Sequence, residues 1–168
     1  MQAERAAALL RGSGAVLRTP LVKLNVDCPY YEVYLKLENI QSISSFKIRG
    51  AGSAILSADQ DAVRKQGVFT ASAGNMGQGV AKFAQELGVP CTVVVPDSAP
   101  LTKVDAIKRL GAKVCKVTYD EWWTIIEMGT DAPILAQLSG VSGVFVHPVC
   151  DQDVMVGTNL LPVHMSCA

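Results

Sequence analysis

One lysine in this chain is placed for covalent chemistry. Lys47 lies in the run Ser45-Phe46-Lys47-Ile48-Arg49-Gly50-Ala51, where an apolar helix is expected to begin. The N-terminal end of a helix carries partial positive charge, so a second cation is disfavoured there. Lys47 therefore has reason to lose its proton or to bond covalently. A neutral, partly buried lysine is the amine that forms Schiff bases. Taken alone, the simpler reading is a solvated lysine at a helix start, and two further motifs reverse that balance.

The first of these is Ser72-Ala73-Gly74-Asn75, followed by Gln78-Gly79. Gly74 lets the backbone approach a ligand closely, and the first N–H groups of a following helix point at an anion. Ser72 can add a hydroxyl donor. The same residues would also serve as ordinary helix caps. The second is Thr19-Pro20-Leu21 near the N-terminus.

The elements that must position these residues follow from apolar periodicity. Strands are expected at Glu32 to Leu37, Gly67 to Ala71, Cys91 to Val95, Lys113 to Val117 and Val144 to Val146. Helices are expected at Phe46 to Leu56, Met76 to Leu87 and Leu101 to Leu110. A longer one, Tyr119 to Leu138, is interrupted near Gly129 to Pro133. Strand and helix alternate, so the expected fold is α/β: a parallel sheet with helices on both faces. Ligands of such sheets bind at the carboxyl ends of the strands. On this reading both Lys47 and Ser72 to Asn75 follow a strand and open a helix.

Composition narrows the function further. The 168 residues suffice for one domain with a core, and Lys plus Arg equals Asp plus Glu at 15 each. No basic run marks a nucleic-acid or anionic-membrane surface, and no stretch is apolar enough to span a bilayer. Neither dinucleotide nor P-loop glycine spacing is present. The five cysteines, Cys28, Cys91, Cys115, Cys150 and Cys167, form no C-x-x-C pair. His147 and His164 lie apart, so no metal site is expected, and His147 reads as structural. With no signal peptide in view, the expected location is cytoplasmic and the thiols reduced.

The segment Leu35 to Ala51, with Glu38-Asn39 and Gln41, resembles the lysine motif of the serine/threonine dehydratases. These are tryptophan-synthase-β-like, fold type II pyridoxal-phosphate enzymes. Ser72 to Asn75 with Gln78 and Gly79, and Thr19 to Leu21, resemble two more of their motifs. The likeness runs from about Leu17 to about Gly157 in the same order. It implies pyridoxal 5'-phosphate as cofactor and a small amino acid as substrate. Lys47 would hold the cofactor as an imine and remove the substrate α-proton, and Phe46 would pack beside the ring. Asn75 would bond the ring's phenolic oxygen. Ser72, Ala73, Gly74 and Gln78 would line the substrate side, where a carboxylate binds.

The resemblance also orders the reactions. Racemases of the group carry a serine directly before the loop glycine, and here that position is Ala73, which has no proton to give. The expected reaction is therefore β-elimination: L-threonine or L-serine loses its hydroxyl and ends as an α-keto acid and ammonia. A racemase-like enzyme and a non-catalytic folded remnant are the alternatives. Two departures, Met76 where many relatives carry histidine and the apolar Ile43 before the lysine, bear on substrate choice.

After Gly157 the likeness fades. The expected organisation is residues 1–46 as the start of a large domain, 47–150 as a small α/β domain and 151–168 as a divergent tail. The chain is then a truncated form lacking the family's glycine-rich phosphate loop, with weak or no activity. Apolar surface exposed before Lys47 and near Val144 to Val149 would favour self-association.

Overall fold

The structure is a computed structural model that describes residues 2–25 and 32–160. In chain order the elements are α1 (Gln2–Ser13), β1 (Leu21–Lys23), β2 (Tyr34–Lys36), a 3-10 turn at Glu38–Ile40, α2 (Lys47–Ser57), α3 (Gln60–Gln66) and β3 (Val68–Ala71). There follow α4 (Asn75–Leu87), β4 (Cys91–Pro96), α5 (Leu101–Arg109), β5 (Lys113–Val117) and α6 (Tyr119–Met128). Two 3-10 turns at Gly129–Asp131 and Pro133–Gln137, β6 (Val144–Phe145) and α7 (Gln152–Thr158) complete the described chain. Cys28, Cys167, His164 and the expected tail from Leu161 onward lie outside the described residues.

Four strands form the expected parallel sheet, in the order β5-β4-β3-β6. Ala71 stands beside Val94, and Val94 beside Cys115. The central strand β4 reads Cys-Thr-Val-Val-Val-Pro and every residue of it is buried. That is the signature of a strand covered on both faces. Val93 and Val95 pack into one core with Val80, Phe83 and Ile107, while Val94 turns to the other with Ala71, Val117 and Ile125. Each such fully buried side chain contributes roughly 1.5–3 kcal/mol. Thr70 Oγ1 donates to the Val146 carbonyl at 2.7 Å and ties the short edge strand β6 to β3.

Helix boundaries follow local chemistry. Gly88 ends α4 in the left-handed conformation, which glycine adopts without a Cβ penalty. Asp59 caps α3, and Thr118 with Glu121 forms a reciprocal capping box on α6.

One expectation is corrected. The strand read at Glu32 to Leu37 exists only as Tyr34–Lys36, and it is not in the parallel sheet. It pairs antiparallel with β1, Val22 opposite Leu35, in a separate two-stranded ribbon. The Leu37 amide donates to the Pro20 carbonyl at 3.1 Å and the Lys36 amine to that of Thr19, so the Thr19-Pro20 corner holds this strand. Lys47 therefore does not follow a strand of the main sheet. A 3-10 turn and a loop carry the chain from β2 to α2. Three helices, α1, α3 and α7, were not among the expected elements.

Candidate functional site

Three pieces of chain meet at the carboxyl end of β3. The first is the start of α2, where Lys47 is the first helical residue. Ser45 is buried and its Oγ accepts from the Lys47 amide at 3.3 Å. Ser44, just before it, sits at φ 54° and is the only non-glycine residue in the left-handed region among those described. That conformation costs an L-residue roughly 1–2 kcal/mol, and it turns the chain sharply into the helix.

The second piece is the loop from β3 to α4. Gly74 occupies the N-cap position of α4 and no side chain caps this helix. Ser72 and Asn75 are thus not capping residues here. Ser72 is buried, and its Oγ accepts from the Gly74 amide at 3.3 Å, which leaves its own O–H to donate. A Cβ added at Gly74 would meet nothing nearer than Ser72 Oγ at 4.0 Å, so the loop's backbone faces open space.

The third piece is α6, which carries Trp122 and Trp123 on its first turns, together with Pro148 and Val149 after β6. These close one cavity of about 400 Å³ with Ser45, Phe46, Lys47, Ser72, Asn75 and Met76 on its walls. The Lys47 Nζ lies 5.4 Å from the centroid of the Phe46 ring. Among the described residues no carboxylate pairs with that amine.

Of the residues singled out in the sequence, the cavity gathers Phe46, Lys47, Ser72 and Asn75. Ala73, Gly74 and Gln78 do not line it, although Ala73 and Gly74 form the loop at its edge. Sequence reasoning missed the tryptophan pair. The available signal was that both tryptophans of the chain stand side by side at the start of the helix after β5. Trp122 Nε1 is buried and finds no acceptor, so the indole is held by packing with Ile126 and its neighbours.

The remaining titratable groups read as structural. His147 Nδ1 accepts from the Val149 and Cys150 amides, both at 3.0 Å, so its proton sits on Nε2, which donates to the Ile126 carbonyl at 2.8 Å. The ring therefore staples the Pro148-Val149 wall to α6. Burial pushes the Cys91 thiol up to about 12. No group of three or more His, Cys, Asp or Glu that could hold a metal gathers among the described residues. No helix among them is long and apolar enough to cross a membrane.

Residues 12–160 match the family described as pyridoxal-phosphate dependent enzyme. An L-threonine ammonia-lyase of Thermotoga maritima is 43% identical over 126 residues, 75% of this chain and 30% of that protein. The catabolic L-threonine dehydratase TdcB of Staphylococcus aureus strain N315 is 42% identical over 147 residues, 84% of this chain and 40% of that protein. Among solved structures, the threonine deaminase of Solanum lycopersicum in its processed form (isoform 2) superimposes with a TM-score of 0.71 at 29% identity, over 94% of this chain and 46% of its own. The serine racemase of Dictyostelium discoideum gives a TM-score of 0.73 at 30% identity, over 93% and 48%. The chain thus spans less than half the length of these relatives.

The cavity fits the ring end of pyridoxal phosphate. It offers one lysine amine, aromatic walls in Phe46, Trp122 and Trp123, and an uncapped helix start beside an open glycine. Among the described residues Gly74 stands beside the cavity and no glycine lines it.

Proposed function

We propose that this chain, which belongs to the pyridoxal-phosphate-dependent enzyme family, carries the lysine side of an L-threonine/L-serine ammonia-lyase. The observation that carries the reading is the convergence on one cavity of Lys47, from the start of α2, with Ser72 and Asn75, from the junction of β3 and α4. The dehydratase and ammonia-lyase names of the relatives at 42–43% identity support it.

Lys47 is the residue that would hold the cofactor, with Phe46 beside it and Asn75 reaching the ring. When bound, the cofactor supplies an electron sink for the charge left at the substrate α-carbon. The Lys47 amine then serves as the base that takes the α-proton. The Ser72 hydroxyl and the uncapped amides of α4 bind the substrate carboxylate, where partial positive charge favours an anion. Loss of the α-proton and of the β-hydroxyl leaves an enamine that hydrolyses to an α-keto acid and ammonia. Ala73 offers no proton to the opposite face, which favours elimination over racemisation.

The cavity is open on one side: Phe46, Trp123 and Val149 on its wall are 37%, 45% and 62% exposed. Water reaches such a site, and electrostatic contacts weaken there. We therefore expect this stretch by itself to bind the cofactor weakly and turn over little. A racemase is the second reading, favoured by the Dictyostelium structure and opposed by Ala73. Exposed apolar residues on the ribbon support self-association.

The test is to mix the chain with pyridoxal phosphate, reduce with borohydride and map the labelled peptides. Label concentrated on Lys47 supports the reading. Label spread over surface lysines, or none, would overturn it. Where Lys47 is labelled, keto-acid release from L-threonine against D-serine formation from L-serine separates the two reactions.

A further inference from the structure

The ion pair two residues beyond Lys47 has no part in the chemistry above, yet among the described residues it is the most heavily bonded side-chain group. Arg49 Nε donates to Glu38 Oε2 at 2.8 Å and Nη2 to Oε1 at 2.7 Å, a bidentate fork with both side chains about nine-tenths buried. Thr19 Oγ1 donates to the same carboxylate, as does Gln41 Nε2 at 3.2 Å. Gln41 also clasps Leu17, donating to its carbonyl at 2.9 Å and accepting from its amide at 3.0 Å. Arg49 Nη2 reaches the same Leu17 carbonyl at 3.1 Å. Three pieces of chain, Leu17 to Thr19, the 38–41 turn and the first turn of α2, are thereby locked together.

Stability alone is a poor reason for such a pair. Desolvating two charges costs several kcal/mol, and apolar replacements of buried pairs are often neutral or better. What a planar fork supplies is direction. Here the direction is that of the helix start. The Arg49 amide bonds the Phe46 carbonyl at 2.9 Å, inside the turn that carries Lys47. From the other side, α4 presses on the same turn, since a Cβ at Gly79 would stand 3.2 Å from the Lys47 carbonyl oxygen. Residues 47 and 49 lie on opposite sides of the helix at 3.6 residues per turn. The fork thus grips one side and leaves the Lys47 side facing the cavity. The hollow beside Arg49 is walled by Arg11, Arg18 and Lys36 and by no carboxylate among the described residues, so Glu38 is the acid that Arg49 itself pairs with.

We propose that Glu38 and Arg49 are positioning residues for the Lys47 amine, their fork fixing the first turn of α2 so that Lys47 reaches the cavity and not solvent. The proposal rests on Lys47 being the reactive amine. Its test compares Arg49→Lys and Glu38→Gln with Ile125→Val, a methylene deletion in the core on the far face of the sheet, chosen as the control for loss of stability. Two readouts are taken. In the pyridoxal-phosphate and borohydride trap, Lys47 label relative to all other lysines is expected to fall at least tenfold in both fork variants and to hold in Ile125→Val at a similar melting temperature. In hydrogen exchange, the Arg49 and Gly50 amides are expected to speed up in the fork variants beyond the average of the sheet amides. Unchanged selectivity in Arg49→Lys, or an equal loss in Ile125→Val, overturns the positioning role. If the parent chain shows no Lys47 label, the reading of Lys47 fails and hydrogen exchange decides the positioning role by itself. Exchange at Arg49 and Gly50 that merely tracks the sheet would then sink it.

Discussion

The carbonyl oxygen of Ser72 stands where a Cβ on Gly77 would have to go, closer than any side chain tolerates. Helix α4 begins so near the exit of β3 that its third residue must be glycine, and this closeness brings Ser72 to the cavity. Gly77→Ala gains about 1 kcal/mol of helix propensity. It loses more by displacing backbone and crowding Val93 and Ile107, which would lie 3.1 and 3.2 Å from the new carbon. The expected net effect is a loss of about 1–3 kcal/mol. Urea unfolding measures it, and an unchanged or higher midpoint would show that the loop gives way freely.

Ser44 offers a change of the opposite sign. At φ 54° it holds a conformation that glycine adopts without penalty, and its side chain is exposed. Ser44→Gly removes strain of roughly 1–2 kcal/mol. It also adds back some entropy to the unfolded chain. A net gain of about 0.5–1 kcal/mol is expected, seen as a rise in melting temperature with no loss of Lys47 labelling. A fall in melting temperature would mean that the serine makes an interaction of its own at this corner.

Much of this arrangement was legible in the sequence. Cys91 to Val95 is a run, apolar but for Thr92, that stands between Pro90 and Pro96, and such a run has few structural options. The positions of Lys47 and of Ser72 to Asn75 at helix starts were legible, because each follows a short run of small or polar residues and opens an apolar helix. The ribbon was not. Leu21–Lys23 is too short to show a period, and its antiparallel pairing depends on the distant Thr19-Pro20 corner. Helix α3 hides behind Ser57 and Ala58, where the chain restarts under the Asp59 cap. Trp122 and Trp123 carry no motif, and it is the packing of α6 on β3 and β4 that brings them to the cavity with Lys47.

Acid should act through Glu38. Burial works to raise its carboxyl, but the hydrogen bonds from Arg49 and Thr19, the Arg49 charge and Gln41 together outweigh it and hold it below the ordinary carboxylate value. A group depressed in the folded state contributes stability above its unfolded value, about 4.3. That contribution is lost as pH falls through the lower, folded value. Stability of the parent chain should therefore drop more steeply on acidification below about pH 4 than that of Glu38→Gln. Urea midpoints across the acid range measure this, and parallel curves for the two proteins would show that Glu38 is not the responsible group.

The ribbon should drive association. Leu21, Val22, Leu24, Tyr34 and Leu35 are each 36–45% exposed, and a two-stranded ribbon with neither face covered is marginal in water. Val22 and Leu35 face each other across it, so Val22→Lys and Leu35→Lys place a charge at its centre. Sedimentation is expected to show concentration-dependent association of the parent chain and a monomer for either variant. A parent chain that stays monomeric at high concentration would count against the ribbon as a contact surface.

Cofactor entry should be visible in the protein's own fluorescence. The chain has 2 tryptophans, and both line the cavity that holds Lys47. Emission therefore reports on that cavity, although Trp123 also borders a neighbouring hollow with Glu127, Phe145 and His147. Pyridoxal phosphate absorbs where tryptophan emits, so binding beside Trp122 and Trp123 should quench most of the signal in a saturable way. Free tryptophan titrated in parallel corrects for simple absorption. Lys47→Ala should abolish the saturable part, because the covalent hold is gone while both indoles remain. Trp123→Phe removes the more exposed ring and should leave a weaker emission that still quenches, since Trp122 is packed against the cavity wall. A quench that survives in Lys47→Ala at the same half-point would place the cofactor's grip on residues other than the lysine, and the assignment of Lys47 would fall with it.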